Sequence, residues 1–387
     1  MREWRVLSTE RKQVNDAVLL LGATGSVGES SLKAIQALNK KLKAFSFHQN
    51  ISKALEIIRD FQPEIIIATD YESFQKIKSQ VKIKILYGIE GILETLRDSD
   101  ITCVINALTG MSGLVPSIES LRMNKRLIIA NKESIVAGSR LLFQEQLYEN
   151  QILPIDSEHW SLFLLLQNIK RERVKKAVLT ASGGPFRTFS DEQMKKIALE
   201  DALKHPVWNM GKKITISSAS MANKGLEVLE AKELFGFQMS EIDVKIEPQA
   251  KIHALVQFPD GSYAAHISPP SMVLPVKNAL LFPQMSLENW NLSNDTIQFE
   301  DADFKKFPML ALAYESGEKG HFHQIVYTVS NDLAVDAFLD KKIQFKDIPL
   351  LTENNLGKMI ERSVSRVEDI FEIEKEIQQI TEKYIRE

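Results

Sequence analysis

The chain has 387 residues, 44% of them hydrophobic, a length that suits roughly two to three domains with real cores. Its 48 basic and 51 acidic side chains leave a net charge of −3 with no long basic block, which excludes a nucleic-acid track and requires any anion to be bound locally. A single cysteine excludes an internal disulfide and fits a reducing compartment, while apolar runs short of a membrane span and the start Met1-Arg2-Glu3-Trp4, too acidic for a signal or transit peptide, make a cytoplasmic protein without membrane contact the expectation.

In chain order, Ala17–Leu21 is uniformly apolar and reads as a buried strand. Gly22, Gly25 and Gly28 follow at G-x-x-G-x-x-G spacing, and 30–38 reads as a helix. Glycines after a strand let backbone N–H groups approach a pyrophosphate, and the helix N-terminus adds a positive end. An ordinary tight turn is the alternative. A second strand over 42–47 ends in His48-Gln49-Asn50, with no acid to repel a ribose phosphate. Strands at Ile65–Ala68, Ile101–Asn106 and 126–130 alternate with helices such as 52–61 and 115–123. Cys103 falls in an apolar strand, where a buried structural thiol is expected. Residues 1–150 thus predict a doubly wound parallel sheet that binds a dinucleotide.

From 151 to 285 the pattern becomes mixed α and β, with strands at 177–180, 252–258 and Tyr263–Ile267 and a hairpin turn at Pro259-Asp260-Gly261-Ser262. Residues 286–305 read as a connecting linker. Helical periodicity over 307–316, 331–339 and 362–385 predicts a closing helical domain over 306–387.

Two segments carry the chemistry. Ile155-Asp156-Ser157-Glu158-His159 and Asn223-Lys224-Gly225-Leu226-Glu227 together supply three carboxylates with hydroxyl, amide and ammonium donors between them. Hard oxygen ligands suit Mg²⁺ or Mn²⁺, which keep positions open for substrate oxygens. The competing reading of Asp156, Ser157 and Glu158 is a helix cap before an apolar run. Asn223 and Glu227 are four apart and share a helix face. Glu230 and Glu233 read as a solvated face.

The motifs Gly22-Ala23-Thr24-Gly25-Ser26-Val27-Gly28, Ala130-Asn131-Lys132-Glu133, 154–159, 179–187, 205–216, 223–227, Ser268-Pro269-Pro270 and Ser330-Asn331-Asp332 occur in one order along nearly the whole chain. Together they resemble the 1-deoxy-D-xylulose 5-phosphate reductoisomerase family. The resemblance implies a metal-assisted rearrangement of 1-deoxy-D-xylulose 5-phosphate and its reduction by NADPH to 2-C-methyl-D-erythritol 4-phosphate, in non-mevalonate isoprenoid synthesis, by a homodimer. It implies Asp156, Glu158 and Glu227 as ligands for Mg²⁺ or Mn²⁺, with Co²⁺ a further candidate, and Lys132 as a cation tempering them. Ser157 would hold a substrate hydroxyl. Ser182, Ser218, Asn223 and Lys224 match phosphate-binding positions, and His205 and Trp208 lie on a lid over 205–210. Gly22, Thr24, Gly25, Ser26, Val27, Gly28, His48, Gln49, Asn50, Asn131, Glu133 and Gly211 fall at cofactor positions.

Several positions depart from the family pattern. His48-Gln49 stand where Gly with Lys or Arg is usual, Val207 and Asn209 replace Asn and Ser, and Ser217 replaces Asp. Trp160 replaces a small residue, and Ser271 and Val273 replace Asp and Arg. None removes a metal ligand or a phosphate donor. Two rivals remain at this level: another Rossmann reductase, such as a semialdehyde dehydrogenase, which would need a nucleophilic cysteine, and a non-catalytic dinucleotide-binding homologue, which should have lost the carboxylates.

Overall fold

A run such as Ala-Val-Leu-Leu-Leu has no polar face to give to water, so it forms a strand covered on both sides. In the computed structural model this run is strand β1 (Ala17–Leu21), buried throughout. The structure describes residues 17–208, 210–292 and 296–386. They form two compact units. The first takes the described residues to Asn131, then Arg140–Asp156 and Ser271–Leu287; the second takes Lys132–Ser139, Ser157–Pro270 and the described residues from Glu288 onward.

In the first unit β1 is joined by β2 (Lys41–Phe47), β3 (Ile65–Ala68), β4 (Lys84–Tyr87), β5 (Ile101–Asn106), β6 (Arg126–Ile129) and β7 (Ile152–Pro154). The order is β4-β3-β2-β1-β5-β6-β7, and every pairing is parallel. Parallel neighbours require crossovers, and helices Ser26–Ala37, Ile51–Phe61, Tyr71–Lys78, Gly88–Leu96 and Leu114–Arg122 supply them. Strand order reverses between β1 and β5, the place where such sheets receive a ligand at their carboxyl ends. Cys103 is buried in β5 as expected. Helix Val273–Leu281 packs on Ser26–Ala37, so this stretch, expected in a middle domain, belongs to the first unit.

The second unit contains β8 (Lys176–Ala181), β9 (Ile242–Ile246), β10 (Ile252–Gln257), β11 (Tyr263–Ile267) and β12 (Glu300–Asp301), in the order β11-β10-β8-β9-β12. Only β8 and β9 pair in parallel. Leu179, Val244 and Val256 of this sheet share one apolar core with Leu226 and Leu229 and with Leu310, Tyr327 and Phe338 of the C-terminal helices. The segments expected as separate central and helical domains are therefore joined by a common interior. The expected linker supplies β12, which pairs with β9 and forms one edge of this sheet.

The first helix begins at Ser26 rather than 30, because Gly25 already adopts the extended cap conformation and Gly28 lies in the first turn. Helix Asp347–Lys358 was not anticipated. Its buried side includes Thr352 and Asn355, and the Asn355 amide donates to Ser330 and Thr381, so polar core positions hide the apolar period. Among the described residues no helix is long and apolar enough to cross a membrane.

Candidate active site

The glycine loop follows β1. Gly22 has φ +77°, and a β-carbon there would lie 2.5 Å from the Ala107 carbonyl oxygen. The Gly22 and Ala23 N–H groups donate to the Ser46 hydroxyl and carbonyl, each at 2.9 Å, which ties the loop to the end of β2. A β-carbon at Gly28 would meet the Gly22 carbonyl oxygen at 2.3 Å, so this residue sets the close approach of helix to turn. Gly25 and Ser26 are exposed, with Thr24 and Val27 partly so, leaving the helix N-terminus open to an anion. Gly28→Ala is expected to destabilise the first unit by about 2 kcal/mol or more and to weaken dinucleotide binding at least tenfold. Thermal denaturation with NADPH titration checks this, and unchanged affinity would contradict it.

At the end of β2, His48, Gln49 and Asn50 are exposed. The Asn50 side chain caps the next helix by accepting from the Lys53 N–H at 3.1 Å. Asn131 is buried at the end of the first unit, and its amide donates to the Leu108 and Gly110 carbonyls at 3.0 Å. Its side chain thus shapes the loop after β5.

The second unit assembles the charged cluster. Helix Ser157–Asn168 presents Glu158, and helix Ala222–Phe235 presents Asn223, Lys224 and Glu227 from its first turns. Lys224 Nζ donates to Glu158 Oε1 at 2.8 Å and also to Glu227. Burial works against the Lys224 charge, but the two carboxylates outweigh it and raise its pKa. The carboxylates of Glu158 and Glu227 offer oxygens within 4.8 Å of each other. Asn223 donates to Glu227, Lys132 Nζ stands 4.0 Å from it, and the Ser157 hydroxyl donates to Glu158. Glu133 follows Lys132 on the same helix. Asp156 closes the first unit, one peptide bond before Ser157. Two hard carboxylates already converge on an ammonium, so the donor set suits a small divalent cation.

The same helices carry a second pair. His159 Nε2 donates to the Glu227 carbonyl at 2.9 Å, and Nδ1 stands 3.2 Å from Glu230 Oε2, with both residues buried. Glu230 is therefore interior, not a solvated face as its sequence spacing suggested. Glu233 also departs from that reading, for it accepts the Ser139 hydroxyl and pairs with Lys232 at 3.2 Å.

A third group lies around the turn after β8. Ser182 Oγ is 3.4 Å from His205 Nε2, and a β-carbon at Gly184 would meet the Ser218 carbonyl at 3.1 Å, which places the turn against the end of helix Lys212–Ala219. His205 Nδ1 accepts N–H bonds from Val207 and Trp208, so the neutral ring carries its proton on Nε2, the atom facing Ser182. Burial lowers the His205 pKa to about 4, and burial with His253 nearby lowers that of His266 to about 4. Since the unfolded chain protonates near the ordinary value of 6.5, it takes up protons that the folded chain refuses between about pH 6.5 and 4. Histidine-linked stability is expected to be full above that window and to fall as pH drops through it. His266→Gln should flatten that part of a melting-temperature profile, and an unaltered slope would refute the point.

Gly211 caps helix Lys212–Ala219, and Lys213 in its first turn reaches Asp332 at 3.2 Å and Asp336 at 2.7 Å. This clamp fixes the end of the expected lid to helix His321–Leu339. Asn209 lies outside the described residues. Trp160 is buried and stacks on Phe163 at 5.3 Å, while Ser217 accepts from Asn331 at 3.4 Å. Both departures are absorbed by packing.

Family models for 1-deoxy-D-xylulose 5-phosphate reductoisomerase match residues 18–139, and models for its C-terminal domains match 152–235 and 267–380. The reductoisomerase of Clostridium novyi is 38% identical over 95% of this chain and 99% of its own length. The chain belongs to the 1-deoxy-D-xylulose 5-phosphate reductoisomerase family. The Clostridium tetani relative is 39% identical over 96% of the chain and 98% of its own length. A solved DOX-P reductoisomerase in complex with NADPH, fosmidomycin and magnesium matches with TM-score 0.88 and 30% identity, covering 96% of this chain and 98% of that one. The Zymomonas mobilis reductoisomerase with NADPH matches with TM-score 0.84 and 32% identity, covering 96% and 99%.

Within this reductoisomerase fold, two groups expected from separate motifs are each brought together: Glu158 with Asn223, Lys224 and Glu227, and Ser182 with His205 and the Ser218 turn. The His159 and Glu230 pair was missed. Its only trace in the sequence is that Glu230 lies three positions after Glu227 on a largely apolar helix.

Proposed function

We propose that this chain is a working reductoisomerase. It converts 1-deoxy-D-xylulose 5-phosphate to 2-C-methyl-D-erythritol 4-phosphate with NADPH and a divalent cation, in non-mevalonate isoprenoid synthesis. The observation that carries the reading is the buried ammonium of Lys224 held by Glu158 and Glu227, a cation site built from hard oxygen ligands.

Asp156, Glu158 and Glu227 would hold the metal, and Lys132 would moderate their summed negative charge. A divalent cation supplies Lewis-acid polarisation of substrate oxygens when bound, and the nicotinamide supplies hydride. Ser157 orients a substrate hydroxyl beside Glu158. Ser182, Ser218, Asn223 and Lys224 bind the phosphate, and His205 donates through its Nε2 proton as a neutral group. Trp208, on a loop between Pro206 and Gly211, excludes water from the reacting carbons. Gly22 to Gly28, with the loops carrying His48, Gln49, Asn50, Asn131 and Glu133, form the cofactor side. Gly211 serves it through the lid.

The assay combines purified protein, 1-deoxy-D-xylulose 5-phosphate, Mg²⁺ or Mn²⁺ and NADPH, and follows loss of the reduced-nicotinamide absorbance. Metal-dependent oxidation matched by product supports the reading. Cofactor binding without turnover would favour the non-catalytic homologue. The protein is further proposed to be a cytoplasmic homodimer, which sedimentation of the purified chain tests.

A further inference from the structure

Helix Ala222–Phe235 fixes the His159 ring from several sides. Nε2 donates to the Glu227 carbonyl at 2.9 Å, Nδ1 stands 3.2 Å from Glu230 Oε2, and the Phe235 ring stacks on the imidazole at 6.3 Å between centroids, 11° from parallel. Positions 227, 230 and 235 fall on one side of a helix, so a single neighbouring ring can meet all of them. His159 is 0% exposed and Glu230 1%, which shuts water out of the pair. A carbonyl can only accept, so Nε2 carries a proton, and Nδ1 of a neutral ring is then an acceptor. A bare carboxylate 3.2 Å from that lone pair would repel it without any solvent to screen the contact. One proton therefore lies between Nδ1 and Glu230, on either atom, and the pair is neutral as a whole.

The same ring joins the two halves of the carboxylate cluster. His159 directly follows Glu158 in the chain and holds the backbone of Glu227, and the carboxylates of those two residues converge on Lys224. An imidazole free to turn would release the Glu227 carbonyl and let the two helices drift where their carboxylates meet. Glu230 prevents that turn by engaging the opposite nitrogen. Partners that orient ligating groups in this way are worth about 10- to 100-fold in metal affinity.

We propose that Glu230 is a positioning residue for the divalent-cation site: it locks His159, and through it the backbone of Glu227, at the spacing the cation requires. The proposal rests on the reading of Glu158 and Glu227 as cation ligands. Mg²⁺ binding to the whole protein is measured by calorimetric titration without substrate, for the wild type, Glu230→Gln, Glu230→Leu and Glu227→Gln. The amide of Glu230→Gln can donate to Nδ1 in place of the shared proton, so its Mg²⁺ dissociation constant should stay within about threefold of the wild type. Glu230→Leu leaves Nδ1 without that partner, and its constant should rise about 10- to 100-fold with NADPH affinity unchanged. In turnover the Leu variant should need correspondingly more Mg²⁺ for half-maximal rate, while kcat at saturating Mg²⁺ stays within about threefold. A purely structural role would lower the melting temperature and leave both magnesium measurements in place. If Glu230→Leu does not fold, His159→Asn carries the test, since its shorter amide does not reach the Glu227 carbonyl and the same loss of Mg²⁺ affinity is expected. Wild-type Mg²⁺ affinity in the folded Leu or Asn variant, or equal losses in Glu230→Gln and Glu230→Leu, would overturn the proposal. Wild-type Mg²⁺ binding that Glu227→Gln leaves intact would instead overturn the cation reading itself, and the proposal with it.

Discussion

Glu227→Gln is expected to lower kcat/KM by about a thousandfold or more while the chain remains folded. Glu227 is 1% exposed and receives Lys224 and Asn223, with Lys132 at 4.0 Å. Glutamine keeps the shape and removes the charge, so the surrounding helices retain their packing. One amide N–H₂ would then face donors, at a cost of about 1 to 3 kcal/mol. That is tolerable against ordinary stabilities of about 5 to 15 kcal/mol. A lost ligand, by contrast, removes the fixed position from which a metal polarises the substrate. Excess chelator should silence the wild type to a similar degree, and restoring Mg²⁺ should rescue the wild type and not the variant. Near-normal turnover of Glu227→Gln, or full wild-type activity in chelator, would sink the assignment of this cluster.

The parallel sheet was legible because whole runs are apolar. A strand covered on both faces admits no polar alternation, and the expected bounds of β1, β3 and β5 agree with the structure to the residue. Shorter strands were overlooked. β7 has three residues and ends in Pro154, while β4 is partly exposed at the sheet edge, so neither stands out by composition. The start of the first helix was misplaced for a different reason. Gly22 is there for a positive φ, and Gly28 for a close approach inside a helix, yet both look alike in sequence. The positive φ at Gly22 and the distance from Gly28 to the Gly22 carbonyl separate the two uses.

Helix Ala222–Phe235 shows where local reading fails. Lys224, Glu227 and Glu230 are charged, so by themselves they suggest a surface, yet all three are buried. Their burial is possible because Lys224 meets Glu158 and Glu230 meets His159, both from helix Ser157–Asn168, 66 residues upstream in the case of Glu158 and Lys224, while Glu227 meets Lys224 and Asn223 on its own helix. No window of sequence contains both halves of such a pair. Motif resemblance could name Glu158, Lys224 and Glu227 as functional, but it assigned Lys224 to a phosphate, while the structure holds its ammonium between two carboxylates.

That difference yields a second large effect. Lys224 is expected to serve two anions in turn, the carboxylate pair before the metal arrives and the substrate phosphate afterwards. Lys224→Met fits the buried position and deletes only the charge. Without metal, Glu158 and Glu227 would then face each other without the ammonium between them, a loss that costs about 3 to 5 kcal/mol when one partner of a buried pair is removed. With metal present the cation restores neutrality, so Mg²⁺ should raise the variant's melting temperature more than the wild type's. Affinity for Mg²⁺ should also increase, because no ammonium competes for the same oxygens. Substrate affinity should fall by about a hundredfold through the missing charge-assisted bond to phosphate, with NADPH affinity unchanged. Calorimetric titration of Mg²⁺, melting curves with and without chelator, and substrate saturation separate these effects. If the variant bound metal more weakly and lost NADPH affinity in step, Lys224 would be a structural strut of the unit, and the exchange of its partners would be refuted.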